Sequence, residues 1–151
     1  MIVSFCGHSH YIKKDGDERR LLDFLEETVG EKEADMFLGG YGEFDAFAYN
    51  CCKKYSETHK QVKLIYVTPY QLTKDNEKRQ EQYLSEFDYI IYPEIEDKPL
   101  RYAITYRNKY MIECADCVVA YVSHSWGGAY TSYKYAKRLR KRIFNLAEFD
   151  G

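Results

Sequence analysis

Three short turns carry glycine beside side chains able to grip an anion: Gly7-His8-Ser9, Gly39-Gly40-Tyr41-Gly42 and Gly127-Gly128-Ala129-Tyr130-Thr131. Each follows a short apolar run, so each is expected at the carboxyl end of a strand. Glycine lets backbone N–H groups approach a phosphate closely, and a helix N-terminus behind it adds about half a positive charge. Ser9 and Thr131 add hydroxyl donors. His8 is open to three readings: a phosphate donor, an acid or base near neutral pH, or a polar turn residue. Any one of these turns reads equally well as a plain strand stop. Three at corresponding strand ends point to a phosphate site.

Arg107 is the cation expected beside them. It sits inside the apolar stripe Ala103, Ile104, Arg107, Tyr110, Met111, Cys114 of a helix expected over 101–114. A guanidinium facing the sheet needs a partner. That partner is either a ligand phosphate or carboxylate, which suits the planar fork of Arg, or an internal acid such as Asp45 or Asp116. Asn108 stands next to it. Glu43 and Asp45 are the carboxylates expected near the same site, either on a ribose hydroxyl or in glycosidic bond cleavage; Glu43 reads equally as a first-turn acid complementing its helix dipole.

The elements that must position these residues alternate. Apolar runs at Ile2–Cys6, Met36–Leu38, Val62–Val67, Tyr89–Tyr92 and Val118–Val122 read as strands, with a further short one at Ile143–Leu146. Helical spacing falls between them, as in the stripe Phe44, Phe47, Ala48, Cys51, Cys52, Tyr55. Residues 73–82 are nearly all polar and read as a loop or an exposed helix. Alternation of this kind implies one α/β domain over residues 1–151, a mainly parallel sheet between two helix layers. The expected strand order is 3-2-1-4-5, with a crevice where the order reverses, between the first and fourth strands.

Composition narrows the function. The net charge is −2 and no apolar run is long enough to span a bilayer, so neither membrane nor nucleic acid is expected as a partner. Lys134 to Arg142 holds six basic residues in nine, read as a solvated helix end without aromatics interleaved in nucleic-acid style. The start has no basic region, and the five cysteines are an odd number; a cytoplasmic protein with reduced thiols is expected. Cys114-Ala115-Asp116-Cys117 sits at a helix end rather than a helix start, and a metal site would need further ligands such as Cys6, His8 or His10. No metal site and no required cofactor are expected. Neither G-x-G-x-x-G nor a P-loop is present.

Strand-GHS, strand-GGYGEFD, RNKYM and GGAYTSYKYA, in this order along nearly the whole chain, resemble the SLOG superfamily. These Rossmann-like proteins include the lonely-guy cytokinin-activating enzymes and the DNA-processing protein A group; the chain looks most like small single-domain bacterial members. The lonely-guy R-K-x-x-M motif is similar to Arg107–Met111, with Asn108 in place of Lys. Their P-G-G-x-G-T-x-x-E motif is similar to Trp126–Lys134, keeping Gly127, Gly128 and Thr131. Lys134 stands where the family has its catalytic Glu, which would stabilise a ribosyl cation. The resemblance therefore implies a sensor or carrier of a nucleotide or phosphosugar more than an N-glycosidic hydrolase or transferase. It also implies pairing into a homo-oligomer through helices.

Overall fold

The computed structural model describes residues 1–150. Its six strands are β1 (Ile2–Gly7), β2 (Ala34–Leu38), β3 (Val62–Val67), β4 (Tyr89–Ile91), β5 (Cys117–Tyr121) and β6 (Arg142–Asn145). Between them lie α1 (Asp17–Thr28), α2 (Glu43–Thr58), α3 (Glu77–Glu86), α4 (Ala103–Cys114) and α5 (Gly128–Arg138), with single 3-10 turns before α3 and α4. The strands form one sheet, ordered β4-β3-β2-β1-β5-β6, and every pairing is parallel.

The fold class is the expected one, but the strand order is not 3-2-1-4-5. β4 lies at the outer edge beside β3, and β5 takes the place beside β1. The reason is burial. A strand next to β1 is covered on both faces, and Cys117–Ala120 are all buried. Tyr89, by contrast, is 57% exposed, as only an edge strand allows. The order therefore reverses between β1 and β5, where α4 carries the chain back across the sheet.

Alternation along the strands divides the core. Val3, Phe5, Met36, Leu38 and Leu64 pack with Leu21 and Leu25 of α1 and Phe44 and Ala48 of α2. On the other face Phe37, Ile65 and Val67 meet Met111 of α4, while Val118 meets Ile112 of α4 and Ala136 of α5. Ser4 is polar and fully buried in this core: its hydroxyl donates to the Met111 carbonyl at 2.7 Å, pinning β1 to α4. Residues 73–82, left open between loop and helix by the sequence, form a 3-10 turn at Lys74–Asn76 and the start of α3, which is anchored by Tyr83 stacking on Tyr66 with centroids 3.8 Å apart. No helix among the described residues is long and apolar enough to cross a membrane.

Candidate functional site

The carboxyl ends of β2, β1 and β5 are neighbours in the sheet. A cleft of about 700 Å³ opens above them, within the usual range for small-molecule sites. Gly7, His8 and Ser9 line it from the β1 turn, Gly39 and Asp45 from β2 and α2, and Gly127 and Gly128 from the start of α5. Ile104, Arg107, Asn108 and Met111 enter from one face of α4. Gly40, Gly42, Glu43 and Thr131 do not line it.

The glycines divide by what surrounds them. A Cβ on Gly7 would lie 2.2 Å from the Phe44 ring, and one on Gly42 2.7 Å from the Ser9 Cα. Gly42 caps α2 with φ +91°, and the Glu43 N–H behind it donates to the Ser9 carbonyl at 2.8 Å. These two glycines let the first and second turns close on each other. Gly39 lies flat against Arg107, and Gly40 against Tyr66. Only Gly127 and Gly128, among the cleft glycines, face open space, with nothing within 4 Å of an added Cβ. Gly127 caps α5 at φ +90°, a conformation that disfavours any other residue. The exposed backbone at the start of α5 is thus the part of the cleft built like an anion cradle.

Arg107 is 3% exposed. Its partners are not Asp45 or Asp116, the acids expected from sequence. Nη1 donates to the carbonyls of Gly39 at 3.0 Å and Val67 at 2.8 Å, capping the ends of β2 and β3, and Nε donates to Asn108 Oδ1 at 2.9 Å. Asp116 instead accepts the Ile2 N–H at 2.7 Å. Nη2 has no hydrogen bond among the described residues. Burial lowers the Arg107 pKa from its usual value, and the Asp45 charge opposes that shift.

Asp45 is the only carboxylate lining the cleft among the described residues. Its Oδ2 accepts the Tyr41 N–H at 3.0 Å. Burial raises its pKa to about 6, with the Tyr41 hydrogen bond and the Arg107 charge pulling the other way. Glu43 instead pairs with His10 at 3.3 Å, both side chains well exposed, and of the two only His10 lines the cleft.

His8 is buried, and its Nε2 accepts the Ser123 N–H at 2.9 Å. That bond fixes the proton on Nδ1 and ties the β1 turn to the β5 turn. Burial, and then the neighbouring His124, push its pKa down. His124 stacks on His8 and Trp126 stacks on His124, each at a centroid separation of 3.6 Å. The sequence places His124 and Trp126 together after β5, where Trp126 reads either as a cover for a base or as packing on the last helix, but it does not show their stacking on His8, 116 positions from His124. Ser132, one turn beyond Gly128, also lines the cleft, and helical spacing from the glycines would have found it.

Lys134 lies outside the cleft. It lines a second groove of about 510 Å³ between α4 and α5, with Lys109, Arg138, Tyr130 and Tyr135. The position where the resembled motif has its Glu therefore faces this groove. Asn108, Gly128 and Ser132 line both cavities, so the two adjoin. The Lys109, Lys134 and Arg138 cations lie 5.5 to 5.6 Å from tyrosine ring centroids, so aromatics do interleave with the basic residues of α5. All five cysteines are free thiols. Burial raises Cys6 to about 12 and Cys117 to about 11. Among the described residues no three His, Cys, Asp or Glu side chains are grouped to hold a metal.

No protein-family model and no curated protein matches the chain. Solved structures do. DNA processing protein A from Helicobacter pylori, described for its single-stranded DNA binding mode, aligns at a TM-score of 0.65 and 18% identity, over 100% of this chain and 67% of that one. DNA processing protein A from Streptococcus pneumoniae aligns at 0.62 and 15% over 95% of this chain, but this chain spans only 49% of it. TM1055, a structural-genomics target, aligns at 0.56 and 14%, over 94% and 71%. The H. pylori protein corrects the expectation against nucleic acid: a protein sharing this fold binds single-stranded DNA, so a net charge of −2 is no ground for excluding that partner. The likeness is one of fold: this chain has a Rossmann-like α/β fold similar to that of DNA processing protein A.

Proposed function

We propose that the strand-end cleft holds a phosphate-bearing ligand of the nucleotide type, and that the protein acts as its sensor or carrier. The observation that carries this reading is the open backbone at Gly127 and Gly128. It pairs a helix N-terminus with empty space inside a cleft of suitable volume. Arg107 supports the phosphate with its charge and its one uncommitted nitrogen, and Ser9 adds a hydroxyl. The alternative, an N-glycosidic hydrolase or transferase, rests on Asp45 alone, whose pKa near 6 suits proton transfer at neutral pH.

A thermal-shift screen against nucleoside phosphates, cyclic nucleotides and phosphosugars tests both. A ligand at 100 times its Kd should stabilise the chain by about 2.7 kcal/mol. Intact ligand after incubation fits the sensor or carrier; released base that Asp45→Asn abolishes fits the enzyme. A screen without a single phosphate-bearing hit refutes the proposal.

The groove between α4 and α5 favours a second reading, single-stranded nucleic acid. Lysine and arginine placed over tyrosine rings suit a strand of phosphates and unstacked bases. Fluorescence polarisation with a labelled oligothymidylate of about 15 nucleotides is the direct assay, and no binding at low salt would dismiss it.

A further inference from the structure

Four large apolar side chains on the cleft lining are exposed: Ile12 at 68%, Trp126 at 67%, Tyr41 at 65% and Ile104 at 40%. Single exposed apolar residues are ordinary on protein surfaces, but a group ringing one cavity is not. Beneath this rim lie Arg107, Asp45 and the glycine backbone of the turns, beside Phe5, Cys6 and Met111. An apolar rim with a guanidinium beneath it fits a ligand that is charged at one end and flat and apolar at the other.

Trp126 is the rim residue held most firmly. His124 covers one face of its indole at 3.6 Å and 19°, and His8 in turn backs His124 at 3.6 Å and 10°. His8 is fixed at the base by the Ser123 N–H. The opposite face of the indole has no ring partner among the described residues. The ring is therefore ordered before any ligand arrives, which removes part of the entropic cost of stacking on it. It also adjoins Gly127 and Gly128, so one turn presents both the cradle and the ring. Tyr41 stands on the β2 turn, two strand spacings or about 10 Å across the β1 end.

We propose that Trp126 is the base-recognising residue of the cleft: the ligand is a nucleotide whose base stacks on the open indole face, and not a phosphosugar. This rests on the reading of the cleft as a phosphate site. The phosphate lies at Gly127 and Gly128, and the base turns outward onto the His8–His124–Trp126 pillar.

Trp126 is the only tryptophan in the chain, so its fluorescence reports on this face alone. The test titrates the protein with adenosine 5′-monophosphate and with ribose 5-phosphate, following fluorescence and, separately, heat of binding. The expected result is saturable quenching by the nucleotide. Ribose 5-phosphate should bind at least tenfold more weakly and leave the emission unchanged. Trp126→Leu should weaken the nucleotide about tenfold and leave ribose 5-phosphate unaffected, while Trp126→Phe recovers part of the loss. Equal affinity for the two ligands, or a Trp126→Leu protein that keeps full nucleotide affinity, overturns the base platform while the phosphate site stands. Failure of both ligands to bind the wild-type protein at millimolar concentration overturns the phosphate site and the platform together.

Discussion

Two charged side chains of the cleft can be tested one at a time. Asp45 has a pKa of about 6 in the folded chain, against about 3.9 unfolded. The folded state thus holds the proton more tightly, so stability linked to Asp45 is present below about pH 4 and lost as pH rises through 6. Asp45→Asn keeps an acceptor for the Tyr41 N–H and removes the half-buried charge. It should stabilise the protein by about 1–3 kcal/mol at pH 8 in urea denaturation, with the gain shrinking toward zero at pH 4. A gain that does not change with pH would mean that the carboxylate is hydrated in the folded state. Arg107 makes the opposite case. Arg107→Met leaves the Gly39 and Val67 carbonyls without their donor, and should cost about 3 kcal/mol by the same measurement. Little loss would mean that Arg107 does not hold the strand ends, and is free to serve the ligand alone.

At the scale of the elements, the cleft exists because three strand-to-helix turns meet at the β1–β5 reversal. Their glycines do different work, and substitutions should separate them. Gly7→Ala drives a methyl group into the Phe44 ring and should destabilise by about 1–3 kcal/mol. Gly128→Ala meets open space at the first turn of α5 and should leave the melting temperature within about 2 °C of wild type. This difference was not legible in the sequence: the Gly7–Phe44 contact links two turns through tertiary packing, and all three turns look alike in one dimension. The alternation of strands and helices was legible, because a periodicity of 3.6 against short apolar runs is a local signal. The place of β4 was not. Tyr89–Ile91 is as apolar as a central strand, and only its partners reveal it as an edge. Arg107 was correctly read as buried from its stripe, but its carbonyl partners lie 40 and 68 residues away, beyond the reach of any pattern.

Across the whole molecule, charge is segregated in a way that the net value hides. Residues 101–142 contain nine Lys and Arg against two carboxylates, Glu113 and Asp116, although the chain as a whole has 22 against 24. The basic part includes both walls of the α4–α5 groove. If single-stranded nucleic acid lies there, Lys134→Ala with Arg138→Ala should lower the salt dependence of oligothymidylate binding by about 1–1.5 in log–log slope, each lost phosphate contact counting about 0.7. An unchanged slope would exclude the groove as the path of the strand. The proposed ligand site centres on the start of α5, and calorimetric titration of the wild-type and Gly128→Ala proteins with adenosine 5′-monophosphate tests it most directly. The prediction is saturable one-to-one binding that the added methyl group weakens at least tenfold while stability is unchanged; equal affinity in the two proteins, or no binding to either, would contradict it.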